Sequence, residues 1–257
     1  IKVGDEWWLM YTAFSDEARL ALATSKDLEN WEKKGLLLSQ DFGHNKSGVI
    51  LPEKINGKYY MYFEAVSSGD LYYAVSYDLK NWTASRDWIL IERRKGYFDE
   101  KSIEPGPPPI VLEHGILLIY DGWSPNGFSP GWIILSKEDP TKVIARSDEP
   151  FLVPEFNWEN DGHVPYCIFT EGLVEVENTW YLYYGAADNV VGLARAPVRE
   201  RSVLWSVETK AEWKEGTRDN EISIRKVPDG IGLVTEDVQG WWRFDEENGT
   251  VAHDASG

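Results

Sequence analysis

The chain has 257 residues and a formal net charge of −17 at pH 7, and its aromatic residues, 14% of the sequence, include 13 Trp and 13 Tyr. This length is sufficient for one large domain with a buried core. The negative charge disfavours binding to nucleic acid or to an anionic membrane surface, because both would repel it. The sequence contains no run of about eighteen apolar residues, so it gives no prediction of membrane insertion. The single cysteine, Cys167, excludes an internal disulfide framework.

The sequence repeats itself at a spacing of about fifty residues. Residues 23–31 (ATSKDLENW) return as residues 74–82 (AVSYDLKNW), an offset of 51 (74 − 23) with six of nine positions identical. An aromatic, strand-like segment precedes each copy, at residues 5–13 and 57–65. Looser strand pairs follow at residues 115–121 with 132–136 and at residues 179–185 with 191–194. Short aromatic strands at this period are typical of β-propeller blades, and the recurring Asp-Leu-x-Asn-Trp motif is predicted to be structural.

The predicted domain organisation follows from where the repeat begins and ends. Four blade-like units fit within residues 1–199, and residue 1 falls inside a blade, so we expect an earlier strand or blade to be missing from the front. Residues 200–239 are charged and irregular and are predicted to be a closing segment or linker. Residues 240–257 resemble the start of a laminin-G or concanavalin-like sandwich module, which would favour a secreted or periplasmic location.

Several segments match, in order, the motifs of one enzyme family. They are Asn45-Lys46 with residues 51–59, residues 103–110 with 115–122, residues 139–143, residues 162–165 and residues 183–188. Over residues 1–196 the sequence resembles glycoside hydrolase family 130, the mannoside phosphorylases and mannosidases. The resemblance implies an all-β fold, a five-bladed β-propeller of which four blades are evident here. It also implies an oligosaccharide substrate bound in the central funnel.

The departures from the family motifs bear on the reaction. Where the family's phosphorylases hold phosphate with an Arg, a Lys and a His, this sequence has Glu64, Ser102 and Asp121, and Glu104 replaces a Gly. Carboxylates repel a phosphate dianion but can activate water. The similarity to hydrolytic members therefore predicts an inverting glycoside hydrolase that acts on β-mannosides without phosphate. Two alternatives stay open: a β-mannoside phosphorylase, and a carbohydrate-binding propeller without catalysis.

The resemblance also supplies a set of site residues. Glu64 and Glu104 are predicted to be catalytic, as the carboxylates that activate water, and the general acid is expected in an Asp-Pro-Arg segment upstream of Ile1. The predicted substrate-binding residues are Asp121, Asp188, Lys46, Asn45 and His163. The four acidic residues of this set are expected to converge at one end of the propeller axis, with at least one raised pKa.

Each of these residues also has a structural interpretation, as a strand-end acid, a loop Lys or a structural His. Asp121, for example, precedes Gly122 and could form an Asp-Gly turn. Four scattered His residues without metal-ligand spacing, and the lack of a nucleotide-binding motif, predict neither a metal nor a cofactor.

Overall fold

The computed structural model describes residues 1–38, 42–113, 115–198 and 236–242. The described residues are nearly all β, and they form four sheets in which neighbouring strands pair antiparallel. Sheet 1 contains β1 (Lys2–Val3), β2 (Glu6–Phe14), β3 (Ala18–Ser25) and β4 (Glu32–Leu36). Sheet 2 contains β5 (Asn45–Ile50), β6 (Tyr59–Ala65), β7 (Asp70–Ser76) and β8 (Thr83–Ile91).

The other two sheets follow the same plan. Sheet 3 contains β9 (Ser102–Pro105), β10 (Ile110–Val111), β11 (Ile116–Ser124), β12 (Gly127–Leu135) and β13 (Val143–Arg146), and both β9 and β10 pair with β11. Sheet 4 contains β14 (Ile168–Val176), β15 (Thr179–Ala186), β16 (Val190–Pro197) and β17 (Glu236–Trp242). One four-residue helix, α1 (Asn157–Asn160), joins sheets 3 and 4, and no helix in the described ranges is long and apolar enough to cross a membrane.

The four sheets confirm the predicted β-propeller and its four evident blades. Strand β17 completes sheet 4 by pairing with β16, and it spans the predicted boundary at 239/240. The rest of the predicted linker and of the predicted sandwich module lies outside the described residues.

Side-chain alternation along the strands explains why the sheets pack side by side. In β6, Met61 and Phe63 face the core shared with sheet 1, whereas Tyr60 and Tyr62 face the core shared with sheet 3. Alternation continues in β11, where even-numbered apolar residues face sheet 2 and odd-numbered ones, such as Leu117, face sheet 4. Because successive side chains of a strand point to opposite faces, one strand supplies two cores.

The Asp-Leu-x-Asn-Trp motif holds a turn after the third strand of a blade. Asp78 Oδ1 accepts hydrogen bonds from the main-chain N–H groups of Lys80 and Asn81 at 2.9 and 2.8 Å, and Trp82 Nε1 donates to the Leu79 oxygen at 3.1 Å. The copy at residues 27–31 makes the same set of contacts. The predicted structural role of the motif is thereby confirmed.

A buried ionic cluster fastens the loop between β8 and β9 to sheet 3. Asp99 is fully buried, and its Oδ2 accepts hydrogen bonds from Arg94 Nη2 at 2.8 Å, Arg146 Nη2 at 2.7 Å and the Tyr120 hydroxyl at 2.8 Å. Arg94 also reaches the exposed Asp148 at 3.1 Å. The loop carries Phe98, whose ring stacks on Tyr120 with centroids 5.8 Å apart.

Candidate active site

The first strands of sheets 2, 3 and 4 are all irregular where they approach one another. Strand β5 has a bulge between Lys46 and Val49, and β14 has a bulge between Thr170 and Gly172. In sheet 3, residues 106–109 separate β9 from β10. Bulges bend a strand and re-aim its side chains, and they are frequent beside active sites.

Within two residues of each irregularity, the first strand of the sheet faces the second strand at corresponding positions. The three facing pairs are Lys46 with Glu64, Glu104 with Asp121, and Phe169 with Gly185. In two of the three sheets these positions carry ionisable side chains only. The repeat therefore places ionisable groups at corresponding positions in sheets 2 and 3.

A cavity of about 430 Å³, hereafter the axial cavity, lies where all four sheets meet. Its lining includes Tyr11 from sheet 1, Ser47 from sheet 2, Pro105 from sheet 3 and Glu171 from sheet 4. A volume in this range is typical of small-molecule sites, which lie between roughly 300 and 1,000 Å³. The position of the cavity between the blades matches the central funnel expected from the sequence.

Lys46 links the two predicted catalytic carboxyls. Its Nζ donates to Glu104 Oε1 at 2.8 Å and lies 3.5 Å from Glu64 Oε2, and the Ser47 hydroxyl donates to Glu104 Oε2 at 2.5 Å. Burial lowers the pKa of Lys46, but the negative charges of Glu104 and Glu64 outweigh burial and raise it. The structure thus brings Lys46, Glu64 and Glu104 together.

Glu64 is a buried carboxyl with incomplete hydrogen bonding. It is 3% exposed, and no described residue makes a hydrogen bond with its Oε2, since the 3.5 Å separation from Lys46 is longer than a good hydrogen bond. Burial, together with the charge of Glu104, raises the pKa of Glu64 from 4.5 to about 7, although Lys46 opposes the rise. Glu64 can therefore hold or release a proton close to neutral pH.

Asp121 is fully buried between sheets 3 and 4. The main-chain N–H of Thr170 donates to its Oδ1 at 3.0 Å, and the Thr170 hydroxyl lies 3.0 Å from both of its carboxyl oxygens. Burial raises the pKa of Asp121 well above its usual range, against the effect of the hydrogen bonds from Thr170. These contacts tie Asp121 to sheet 4 rather than leave it in an Asp-Gly turn, and they favour its protonated form.

The remaining predicted residues are distributed differently. Asp188 is exposed in the turn between β15 and β16, where His163 Nδ1 donates to its main-chain oxygen at 3.0 Å, so His163 holds this turn. Asn45 is next to Lys46, but both ends of its amide contact main chain. Its Oδ1 accepts from Leu20 N at 2.9 Å and its Nδ2 donates to Gly43 O at 2.6 Å. The structure gives Asn45 these structural contacts, and its predicted contact with substrate stays a prediction.

Glu171 is a candidate site residue that the sequence reasoning missed. Its side chain is accessible to water on the cavity wall, and the surrounding protein and the charges of Glu104 and Asp188 raise its pKa to about 7. The signal available in the sequence was an acidic residue in an otherwise apolar strand segment, but the bulge that directs it is not visible there. Within the described ranges, no group of three or more His, Cys, Asp or Glu residues could hold a metal ion.

Comparison with known proteins identifies relatives of this chain. A family model described as β-1,4-mannooligosaccharide phosphorylase matches residues 1–204. The 1,2-β-oligomannan phosphorylase of Thermoanaerobacter sp. (strain X514) is 39% identical over 199 residues, which are 76% of this chain and 65% of that protein. The chain thus spans less than two thirds of the length of this curated relative.

Two solved structures extend the comparison. The β-1,2-mannobiose phosphorylase of Listeria innocua, in complex with β-1,2-mannobiose, is 32% identical with a TM-score of 0.67, over 75% of this chain and 54% of that one. A second structure, at 34% identity and a TM-score of 0.69, covers 75% of this chain and 62% of its own. This structure comes from a family of mannoside phosphorylases that contains glycoside hydrolases, which target β-1,2 mannosidic linkages in Candida mannan.

These relatives correct the expectation of phosphate-independent hydrolysis, because the curated relatives are named as phosphorylases. The sequence argument for hydrolysis treated Glu64, Glu104 and Asp121 as carboxylates that repel phosphate, although it expected at least one raised pKa among the acidic residues. In the structure, burial favours the protonated form of Asp121 and leaves Glu64 only partly ionised at neutral pH, while Lys46 adds a positive charge. The site is therefore far less negative than the sequence suggested.

Proposed function

The chain belongs to glycoside hydrolase family 130, and from this membership we propose that its natural protein is a β-mannoside phosphorylase that acts on β-1,2-linked mannosides. The linkage comes from the relatives, which include β-1,2-oligomannan and β-1,2-mannobiose phosphorylases at 39% and 38% identity. The observation that carries the proposal is the contact of Lys46 with Glu64 and Glu104 beside the axial cavity. There, the cation of Lys46 and the partly protonated carboxyl of Glu64 adjoin a space large enough for a sugar.

The proposed reaction is a single displacement at the anomeric carbon. An oxygen of inorganic phosphate forms a bond to C1 of the terminal mannose as the bond from C1 to the glycosidic oxygen breaks. A proton is delivered to that oxygen, which leaves with the shortened mannoside. Because phosphate attacks the face of C1 opposite the leaving oxygen, the configuration at C1 is inverted, and a β-mannoside yields α-mannose 1-phosphate.

Protonated carboxyls make phosphate binding compatible with this site. A protonated carboxyl has an O–H group that donates a hydrogen bond to an anion, whereas the carboxylate only accepts. Glu64, with a pKa of about 7 and an Oε2 that no described residue hydrogen-bonds, can supply such a donor, and Lys46 supplies a charged one. Because the donor form of Glu64 is lost as pH rises through about 7, phosphorolysis should weaken at alkaline pH.

The test is the dependence of sugar release on phosphate. The natural full-length protein is incubated with β-1,2-mannobiose at several phosphate concentrations, and mannose and mannose 1-phosphate are separated by anion-exchange chromatography. We expect equal amounts of the two products, a rate that rises with phosphate to saturation, and little reaction with β-1,4-mannobiose as the linkage control. Release of mannose alone at an undiminished rate without phosphate would overturn the proposal.

A further inference from the structure

Glu171 occupies a position that the fold does not require to be acidic. We propose that Glu171 is a sugar-binding residue, which accepts hydrogen bonds from hydroxyl groups of the mannoside bound in the axial cavity. This inference rests on the proposed function, since it assumes a mannoside in that cavity. It concerns a residue outside the set that the sequence motifs indicated.

The bulge in β14 places Glu171 at the cavity. Thr170 faces Tyr184 on β15 and Gly172 faces Tyr183, so Glu171 is the extra residue with no partner across the pair. An unpaired bulge residue is free of the alternation that the ladder imposes on its neighbours, and its side chain can be directed at a ligand. Here the side chain lines the cavity where the four sheets meet.

The equivalent positions of sheets 2 and 3 carry glycine. Gly48 and Gly106 each lie two residues after the facing residue of the first strand, as Glu171 does in sheet 4. A Cβ at Gly106 would lie 2.2 Å from Thr170 Oγ1, and a Cβ at Gly48 would lie 2.6 Å from Leu20 Cδ1. Side chains at this point are therefore crowded by neighbouring atoms in two blades, whereas the third blade admits a carboxyl.

Glu171 contributes nothing evident to the stability of the fold. Across the described ranges it has neither a hydrogen bond nor an ion pair, and the nearby charges of Glu104 and Asp188 oppose its ionisation. A carboxyl held among other carboxyls without a counter-ion is unfavourable. Positions that break a local rule without a compensating contact are characteristic of functional sites.

The neighbour of Glu171 on the cavity wall gives the surface the character of a sugar site. Phe169 lines the same cavity, and its ring meets Phe128 edge to face at a centroid distance of 5.5 Å. Sugar-sized ligands are commonly held by apolar and aromatic walls together with a few polar groups that fix orientation. A pyranose has an apolar C–H face for the ring of Phe169 and hydroxyl groups at its edge for the carboxylate of Glu171.

The experiment measures sugar binding apart from catalysis. The dissociation constant of β-1,2-mannobiose is determined by isothermal titration calorimetry in phosphate-free buffer at pH 8, where most Glu171 is ionised, for the wild type, Glu171→Gln and the control Glu175→Gln. Glu175 is exposed further along β14 and does not line the cavity. A hydrogen bond to a charged acceptor is worth enough for a loss of about tenfold or more in affinity for Glu171→Gln. We expect the control to bind like the wild type.

Steady-state kinetics add a second readout. In the phosphorolysis assay, Glu171→Gln should raise the KM for mannobiose and leave the KM for phosphate unchanged. Equal affinities of Glu171→Gln and the wild type, a parallel loss in Glu175→Gln, or an equal rise in both KM values would each overturn the inference. If mannobiose binds with the expected differences but no mannose 1-phosphate forms, the proposed function fails while the role of Glu171 in sugar binding stands.

Discussion

Replacing Glu64 with Gln should stabilise the protein at alkaline pH. Gln has nearly the shape of a protonated Glu and cannot ionise, so Glu64→Gln fixes the form that burial favours. The folded-state pKa of Glu64 is about 7, above its ordinary value of 4.5. The stability that the protonated form provides is therefore complete below pH 4.5 and is lost as pH rises to about 7.

The magnitude follows from the difference between the two pKa values. A change from 4.5 to about 7 is about 2.5 pKa units, and each unit corresponds to about 1.4 kcal/mol, so the full effect is about 3 kcal/mol. Because the unfolded chain already ionises partly at pH 5, about 2 kcal/mol of it falls between pH 5 and pH 8. Glu64 is 3% exposed, so solvent screening reduces this effect little.

Urea unfolding at pH 5, 6, 7 and 8 measures the effect directly. The quantity of interest is the free energy of unfolding of Glu64→Gln minus that of the wild type, because titration of other groups cancels in the difference. The difference should grow with pH, whereas that for Glu53→Gln, a change at an exposed carboxyl near the same sheet, should stay flat. A difference for Glu64→Gln that does not change between pH 5 and pH 8 would refute the reasoning.

Two further substitutions test contacts that hold the site in place. Asp99→Asn deprives two arginines of their buried carboxylate and should lower the free energy of unfolding by about 3–5 kcal/mol. In the same urea assay, the control Asp148→Asn, at the exposed end of the cluster, should lower it by less than about 1 kcal/mol. Similar losses in both variants would contradict this expectation. Thr170→Val removes the hydroxyl between both oxygens of Asp121 and should cost about 1–3 kcal/mol. Thr170→Ser should recover most of that loss, and a Ser variant as unstable as the Val variant would argue against the hydrogen bond.

The architecture was readable from the sequence because it depends on local patterns. Alternating aromatic strands and the turn motif at residues 78–82 each fix a segment through contacts within a few residues, so the blades could be counted before the structure was known. The grouping of Glu64 with Glu104 was also accessible, because the family resemblance implied it, although the two residues lie on the second strand of sheet 2 and the first strand of sheet 3.

The properties of the site that depend on burial were not readable. The sequence predicts that at least one of the acidic residues has a raised pKa, but only the enclosure of Glu64 and Asp121 shows that these two favour protonation. The contact of Asn45 with the main chain of β3 joins residues 25 positions apart, and no local pattern in the sequence indicates it. Glu171 was missed because it is the extra residue of the bulge in β14, and the bulge sets the direction of its side chain. No residue type in this segment predicts the bulge.

The sharing of cores between neighbouring sheets makes the blades interdependent. Sheets 2 and 3 have apolar side chains on both faces, and each face is completed by a different neighbour. Such an array behaves like a one-dimensional chain of coupled units, in which the free energy of each unit includes its contacts with the units beside it. Unfolding of sheet 2 or 3 would therefore destabilise the sheets on both sides of it and disrupt the axial cavity. Substitutions in these two sheets far from the cavity can then abolish ligand binding by the same route as substitutions in its wall.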